Sequence, residues 1–231
     1  MPPDGRRAIV LADGTVAGRS TMDAAWPGWD DGVSLVVAAD GGASHALALG
    51  LAIDRWVGDG DSIDAGDLAA LAASGVRVDR VPAEKDAADA ELALQAAIDA
   101  GAEGLILLGG LGGSRLDHGL ANLGLLLHPA LAERPLVLFD EHAARITLLA
   151  AIDGPATVEL LGRLGDIVSL LPVGATAEGV RTEGLQYPLR DEPLLLGRTR
   201  GVSNVRTAPT ARVTLGSGRV LVIETPVTVD R

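Results

Sequence analysis

The sequence predicts an α/β protein: an N-terminal, Rossmann-like, mostly parallel sheet with helices on both faces, then a smaller all-β sandwich or barrel. Three observations predict it. Short apolar runs alternate with Ala-rich helical stretches through the first part of the chain. Those runs are almost continuously apolar, as strands covered on both faces are. Beyond residues 148–154 the helical pattern stops, and short runs separated by Gly, Pro and Asp take over.

Residues 9–12 and 34–39, rich in Val, Leu and Ala, read as strands. A short helix over 43–49 follows Asp40-Gly41-Gly42, and 53–57 is again strand-like. The Ala- and Leu-rich segment 64–73 reads as a helix, 76–81 as a strand and 86–100 as a helix. Residues 104–108 form a strand, 116–127 a helix and 136–140 a strand. The later runs 157–161, 167–171, 177–181, 194–196, 211–215 and 220–224 have the spacing of a small β domain. The expected domains are 1–148 and 149–231, with no low-complexity linker between them.

At 231 residues and 48% apolar content there is ample core, but only 2% is aromatic, so Ala, Leu and Val must fill it. The absence of cysteine excludes disulfides, thiolate metal sites and a cysteine nucleophile, and suits the cytoplasm. Residues 1–7 are polar and Pro-rich, and the apolar run 8–12 is too short for a signal core or membrane span. A soluble, unexported protein is expected. The net charge of −12 argues against nucleic acid as a partner, yet leaves room for a metal-bridged small phosphate ligand.

The chemistry concentrates after the strands. Gly58-Asp59-Gly60-Asp61-Ser62 sets two carboxylates in a glycine-loosened turn, where mutual repulsion favours a hard divalent cation. An ordinary acidic turn is the alternative. Asp40-Gly41-Gly42 stands between a strand and a helix, where backbone N–H groups can meet a phosphate or ribose; a capped turn would look the same. Lys85 and Asp86 open the next helix with Asp89, where Asp86 suits the first turn and Lys85 with Asp89 offers a cation and a ligand. The Gly-rich run 109–113 with Ser114 and Arg115 lacks a P-loop ending and fits a backbone cradle, with Arg115 available to phosphate. Asp117, His118 and Asn122 follow. In the second part Gly201-Val202-Ser203-Asn204 and Gly184-Leu185-Gln186-Tyr187-Pro188-Leu189 read as loops between strands.

Taken in order, these motifs resemble the thiamine pyrophosphokinase family over nearly the whole chain, roughly residues 34–224. The resemblance implies a catalytic α/β domain over 1–148, a thiamine-binding β domain over 149–231 and a homodimer with sites near the subunit interface. It implies pyrophosphate transfer from ATP to the thiamine hydroxyl, giving thiamine diphosphate and AMP. Asp59, Asp61 and Asp89 would be Mg²⁺ ligands. Asp40, Gly41, Gly42, Ser62, Lys85, Gly112, Gly113, Arg115, Asp117, His118 and Asn122 would bind the nucleotide. Asp89, Ser203 and Asn204 would contact thiamine, and Asp59, Asp61, Asp89 and Arg115 would serve catalysis. Tyr187, Trp26 and Trp56 are candidates to stack on its cationic ring. Ala88 stands where the family commonly has Thr, Ser114 where it usually has Gly, and Gly60 where a bulky residue is frequent. A pyrophosphokinase for another alcohol, such as a hydroxymethyl pterin, and a non-catalytic nucleotide- or thiamine-binding module are the competing readings.

Overall fold

The computed structural model describes residues 6–227 and divides into two compact units, Met1–Ala143 and Ala144–Arg231. Most of the polar lead, residues 1–5, lies outside the described residues. In the first unit Arg7–Leu11 (β1), Val33–Ala39 (β2), Arg55–Gly58 (β3), Arg77–Arg80 (β4), Gly104–Leu108 (β5) and Leu136–Phe139 (β6) pair in parallel. Their order is β6-β5-β1-β2-β3-β4. The chain steps from β1 outward to β4, then returns to the other side of β1. That reversal opens a crevice at the carboxyl ends of β1 and β5, where parallel sheets bind ligands.

Burial explains the strands. Every residue of β5 is buried, and Ile9, Leu11, Ile106 and Leu108 pack on Met22 and Trp26. Each fully buried Leu or Ile contributes roughly 1.5–3 kcal/mol. Alternate residues Ala8, Val10, Leu105 and Leu107 are also fully buried, so both faces are covered. Asp89–Asp99 (α4) packs against β1, β2 and β3.

No pattern in the sequence predicts the helix Arg19–Ala25 (α1). It is short, follows Gly18 without a side-chain cap, and is held by tertiary burial of Met22 and Ala25. Trp26 Nε1 next to it donates to the Ala143 carbonyl at 2.8 Å. The helix expected over 43–49 resolves into a 3₁₀ turn, Asp40–His45, and a single helical turn, Ala46–Leu49 (α2). Ala65–Ala73 (α3) is capped by the Asp64 carboxylate, which accepts from Gly66 N at 2.7 Å. The helix expected from 86 starts at Asp89, because Ala88 is extended at ψ 156 and leaves Lys85 and Asp86 in the preceding turn. Leu116–Gly124 (α5) continues as a 3₁₀ turn to Leu127.

The second unit contains Arg145–Ala151 (β7), Ala156–Glu159 (β8), Ile167–Pro172 (β9), Ala177–Glu183 (β10), Arg190–Leu194 (β11), Asn204–Val205 (β12), Arg212–Leu215 (β13) and Gly218–Thr225 (β14). Among its described residues two antiparallel sheets, β12-β9-β14-β7 and β11-β10-β13-β8, share one apolar core. The expected boundary at 148/149 cuts β7, which pairs along its length with β14 and so belongs to the second unit. Glu224, 1% exposed, ties these two strands through Arg145 Nη1 at 2.8 Å and accepts from Gly162 N at 2.8 Å. Of the strand expected over 194–196 only Leu194 belongs to β11, whose remainder is the charged stretch before it, an edge strand that tolerates Pro193. Among the described residues no helix is long and apolar enough to cross a membrane.

The chain is mixed α/β, with a mainly parallel sheet and antiparallel pairing in its second unit.

Candidate functional site

A cleft of ≈ 670 Å³ lies at the carboxyl ends of the parallel strands in the first unit. Its lining includes the loop after β1, Ala12 to Thr15, and beside it the glycine run after β5. The two loops interlock. Gly14 N donates to the Gly109 carbonyl at 2.9 Å, and a Cβ on Gly14 would lie 2.3 Å from the Gly112 carbonyl oxygen. Gly109, at φ +70, would carry a Cβ 2.2 Å from the Ala12 carbonyl oxygen. These glycines are required by close backbone approach.

Asp40 and Asp59 line the cleft, and Asp61 lies beside them. Ligand oxygens of Asp40, Asp59 and Asp61 all lie within 4.8 Å of one another. Asp40 follows β2 in a left-handed conformation, φ 42, and is 3% exposed. Trp56 Nε1 holds its carbonyl at 3.0 Å, while Gly60 N donates to Oδ2 at 3.3 Å. Oδ1 is buried and has no hydrogen-bond partner. Gly58 makes room, since a Cβ there would meet Asp40 Cβ at 3.0 Å. In the next turn Asp59 Oδ1 accepts from Asp61 N at 3.1 Å, and Ser62 Oγ donates to Asp61 Oδ1 at 2.8 Å.

Lys85 spans the edge of this cluster, 2.9 Å from Asp59 Oδ2 and 2.7 Å from Asp89 Oδ1. Its ammonium pKa is raised: burial opposes the charge, but the bonds to Asp89 and Asp59 outweigh it. The Lys85 hydrogen bond in turn lowers the Asp59 pKa. Asp40 behaves in the opposite way. Burial pushes its carboxyl up to about 6, against the Gly60 N–H and with the charges of Asp89 and Asp61 adding to the rise. A buried, orphaned carboxylate oxygen beside two further carboxylates is a hard, oxygen-rich donor set that fits Mg²⁺.

A smaller cavity of ≈ 130 Å³ lies in the second unit, lined by Leu170, Tyr187, Ser203 and Asn204 among others. Ser203 has φ 59, and its N–H donates to Ser169 Oγ at 3.0 Å. Asn204 clamps the Tyr187 backbone, accepting from its N–H at 3.0 Å and donating to its carbonyl at 2.7 Å.

Two family patterns match this sequence: "Thiamin pyrophosphokinase, catalytic domain" over residues 29–138, and "Thiamin pyrophosphokinase, vitamin B1 binding domain" over 157–220. Together they take in about three-quarters of the chain. The chain belongs to the thiamin pyrophosphokinase family. It is an enzyme that transfers pyrophosphate from ATP to thiamine, giving thiamine diphosphate and AMP. The fold is similar to thiamine pyrophosphokinase from Bacillus subtilis, with a TM-score of 0.81 and 22% identity over 96% of this chain and 100% of that one. The Geobacillus thermodenitrificans thiamin pyrophosphokinase gives 0.75 and 26% over 96% and 98%. The Candida albicans thiamin pyrophosphokinase gives 0.75 and 16% over 96% and 89%. No curated protein sequence matches at a significant level.

Against this family background the expected residues sort by position. Asp40, Asp59, Ser62, Lys85, Asp89, Gly112, Gly113, Arg115, His118 and Asn122 line the cleft. Among the described residues the carboxylates that converge are Asp40, Asp59 and Asp61, and Asp89 lies outside that triplet, bonded to Lys85. Gly41 and Gly42 do not line it; Cβ atoms there would strike Asp13 Oδ1 at 2.2 Å and the Leu11 carbonyl oxygen at 2.1 Å. Their role is tight packing of chain against chain. Asn122 is buried and donates to the Gly110 carbonyl at 2.9 Å, bracing the glycine loop. Exposed Asp117 holds Arg115 through two bonds, 3.0 and 2.7 Å, which lowers its own pKa. Trp26 and Trp56 are core residues with their indole N–H groups satisfied, so neither can stack on a ligand; Tyr187 is 58% exposed. Asp13, Gly14 and Thr15 also line the cleft, with no motif in the sequence to mark them. Their position directly after the first strand was the available signal.

Proposed function

We propose that the cleft of the first unit is where the metal–nucleotide complex is handled, with Asp40, Asp59 and Asp61 as the Mg²⁺ ligands. The orphaned, buried Asp40 oxygen carries this assignment. Bound there, Mg²⁺ would neutralise phosphate charge and fix its orientation. The reaction is in-line attack of the thiamine hydroxyl on the β-phosphorus of ATP, with AMP leaving; such transition states are loose, so positioning dominates. Lys85 holds Asp59 and Asp89 in place and supplies positive charge at the cleft. The interlocked glycine loops present backbone N–H groups to the nucleotide, with Arg115 and His118 at the rim. Asp89, the neighbour of Lys85 on α4, is placed to orient the acceptor hydroxyl.

Ser203 is assigned to thiamine, while Asn204 acts by fixing Tyr187, since both ends of its amide are spent on that backbone. We read the first unit as Rossmann-like and catalytic, the second as a thiamine-binding β-sandwich, and the working species as a cytoplasmic homodimer.

The test is Asp61→Asn, assayed by AMP formation with thiamine over a Mg²⁺ titration. A lost ligand should cost about 3 kcal/mol of transition-state stabilisation, roughly a hundredfold in rate. Turnover close to wild type with an unchanged Mg²⁺ requirement would remove Asp61 from the metal site.

A further inference from the structure

Lys85 and Arg115, the lysine and arginine of the cleft wall, are both matched by carboxylates. Arg80 differs. It is the exposed last residue of β4, the edge strand beside β3, and so sits at the carboxyl end that bears the Asp59 loop. Arg77 on the same strand pairs with Asp79 at 3.0 Å, and Arg55 pairs with the same carboxylate. Among the described residues Arg80 meets no carboxylate; its Nη1 donates at 3.5 Å to the Asp59 carbonyl.

Gly60 supplies the room. A Cβ at that position would lie 3.2 Å from Arg80 Nη1, and φ +86 suits glycine. The guanidinium therefore lies over the turn joining Asp59 to Asp61, with its charge unspent in a chain of net −12. A planar, always-charged fork at an open ligand edge matches phosphate oxygens.

We propose that Arg80 is a substrate-binding residue, reaching over Gly60 to take phosphate oxygens of the nucleotide. The inference rests on the assignment of Asp40, Asp59 and Asp61 to the metal–nucleotide complex. Arg115, turned into Asp117, is then the less available of the two arginines.

Steady-state AMP formation by the full chain tests it, with Mg-ATP and thiamine varied separately for wild type, Arg80→Gln, Arg80→Lys and Asp61→Asn. Arg80→Gln should lower kcat/KM for Mg-ATP about tenfold or more, as the loss of one charge-assisted hydrogen bond does. The KM for thiamine and the melting temperature should stay near wild type, and Arg80→Lys should recover part of the loss. Unchanged kcat/KM for Mg-ATP in Arg80→Gln, with Asp61→Asn inactive, overturns the role of Arg80 alone. So does an equal loss toward both substrates with a lowered melting temperature, which marks a purely structural support of the turn. If Asp61→Asn is also unaffected, the metal–nucleotide assignment falls with it.

Discussion

Asp40 concentrates strain, burial and charge in one side chain. A non-glycine residue at φ 42 costs about 1–3 kcal/mol, and the carboxyl is buried with one oxygen unpaired. Its pKa near 6 in the folded chain lies above the ordinary 3.8. The unfolded chain therefore ionises first as pH rises. Without a divalent cation, stability should fall between about pH 4 and pH 6, by on the order of 3 kcal/mol once Asp40 is fully ionised. Asp40→Asn should remove most of this slope, and Mg²⁺ should raise the melting temperature more at about pH 8 than at about pH 5. Thermal melts of both proteins across that range, with and without Mg²⁺, check this; equal slopes would reject it. The sequence showed Asp40 as a polar residue after a strand. Its nearness to Asp59 follows from their places after successive strands, but no local pattern states its burial or its strained backbone. The same holds for Gly41 and Gly42, whose glycines answer to Asp13 and Leu11 across the fold.

At the scale of elements, α4 carries the clearest defect. Ala88 caps it in extended geometry without a side-chain hydrogen bond, so the first-turn N–H groups lack that partner. Ala88→Ser should stabilise the chain by about 1 kcal/mol, or roughly 2–4 °C in melting temperature. Differential scanning calorimetry measures it, and a lowered melting temperature would mean that the cleft wall needs the smaller side chain. The buried runs were legible because a short, uniformly apolar stretch bounded by turn residues fits a covered strand: 104–108 coincides with β5. α1 and β11 were not. One is held by its tryptophan neighbours rather than its own propensity, and the other is a charged edge whose pairing to β10 makes it a strand.

For the whole molecule, the motif order along the chain disclosed the chemistry better than it disclosed the site. Lys85 and Asp89 pair as their spacing suggested, but the bond from Lys85 to Asp59 and the reversal of strand order at β1 were invisible, and with them the lining formed by Asp13 and Thr15. The homodimer we assign to the active species predicts a solution mass twice the 23.5 kDa of one chain. Sedimentation equilibrium over the assay concentration range decides it, and a monomer that retains full turnover would refute it.

All three tryptophans belong to the first unit, and the single tyrosine to the second. Nature has thus labelled the two halves with different chromophores. Indole emission follows the cleft-bearing half alone, with Trp56 wired to the carbonyl of Asp40, while phenol absorbance follows the other. Whether the halves melt together or one after the other can be read optically from the unlabelled chain.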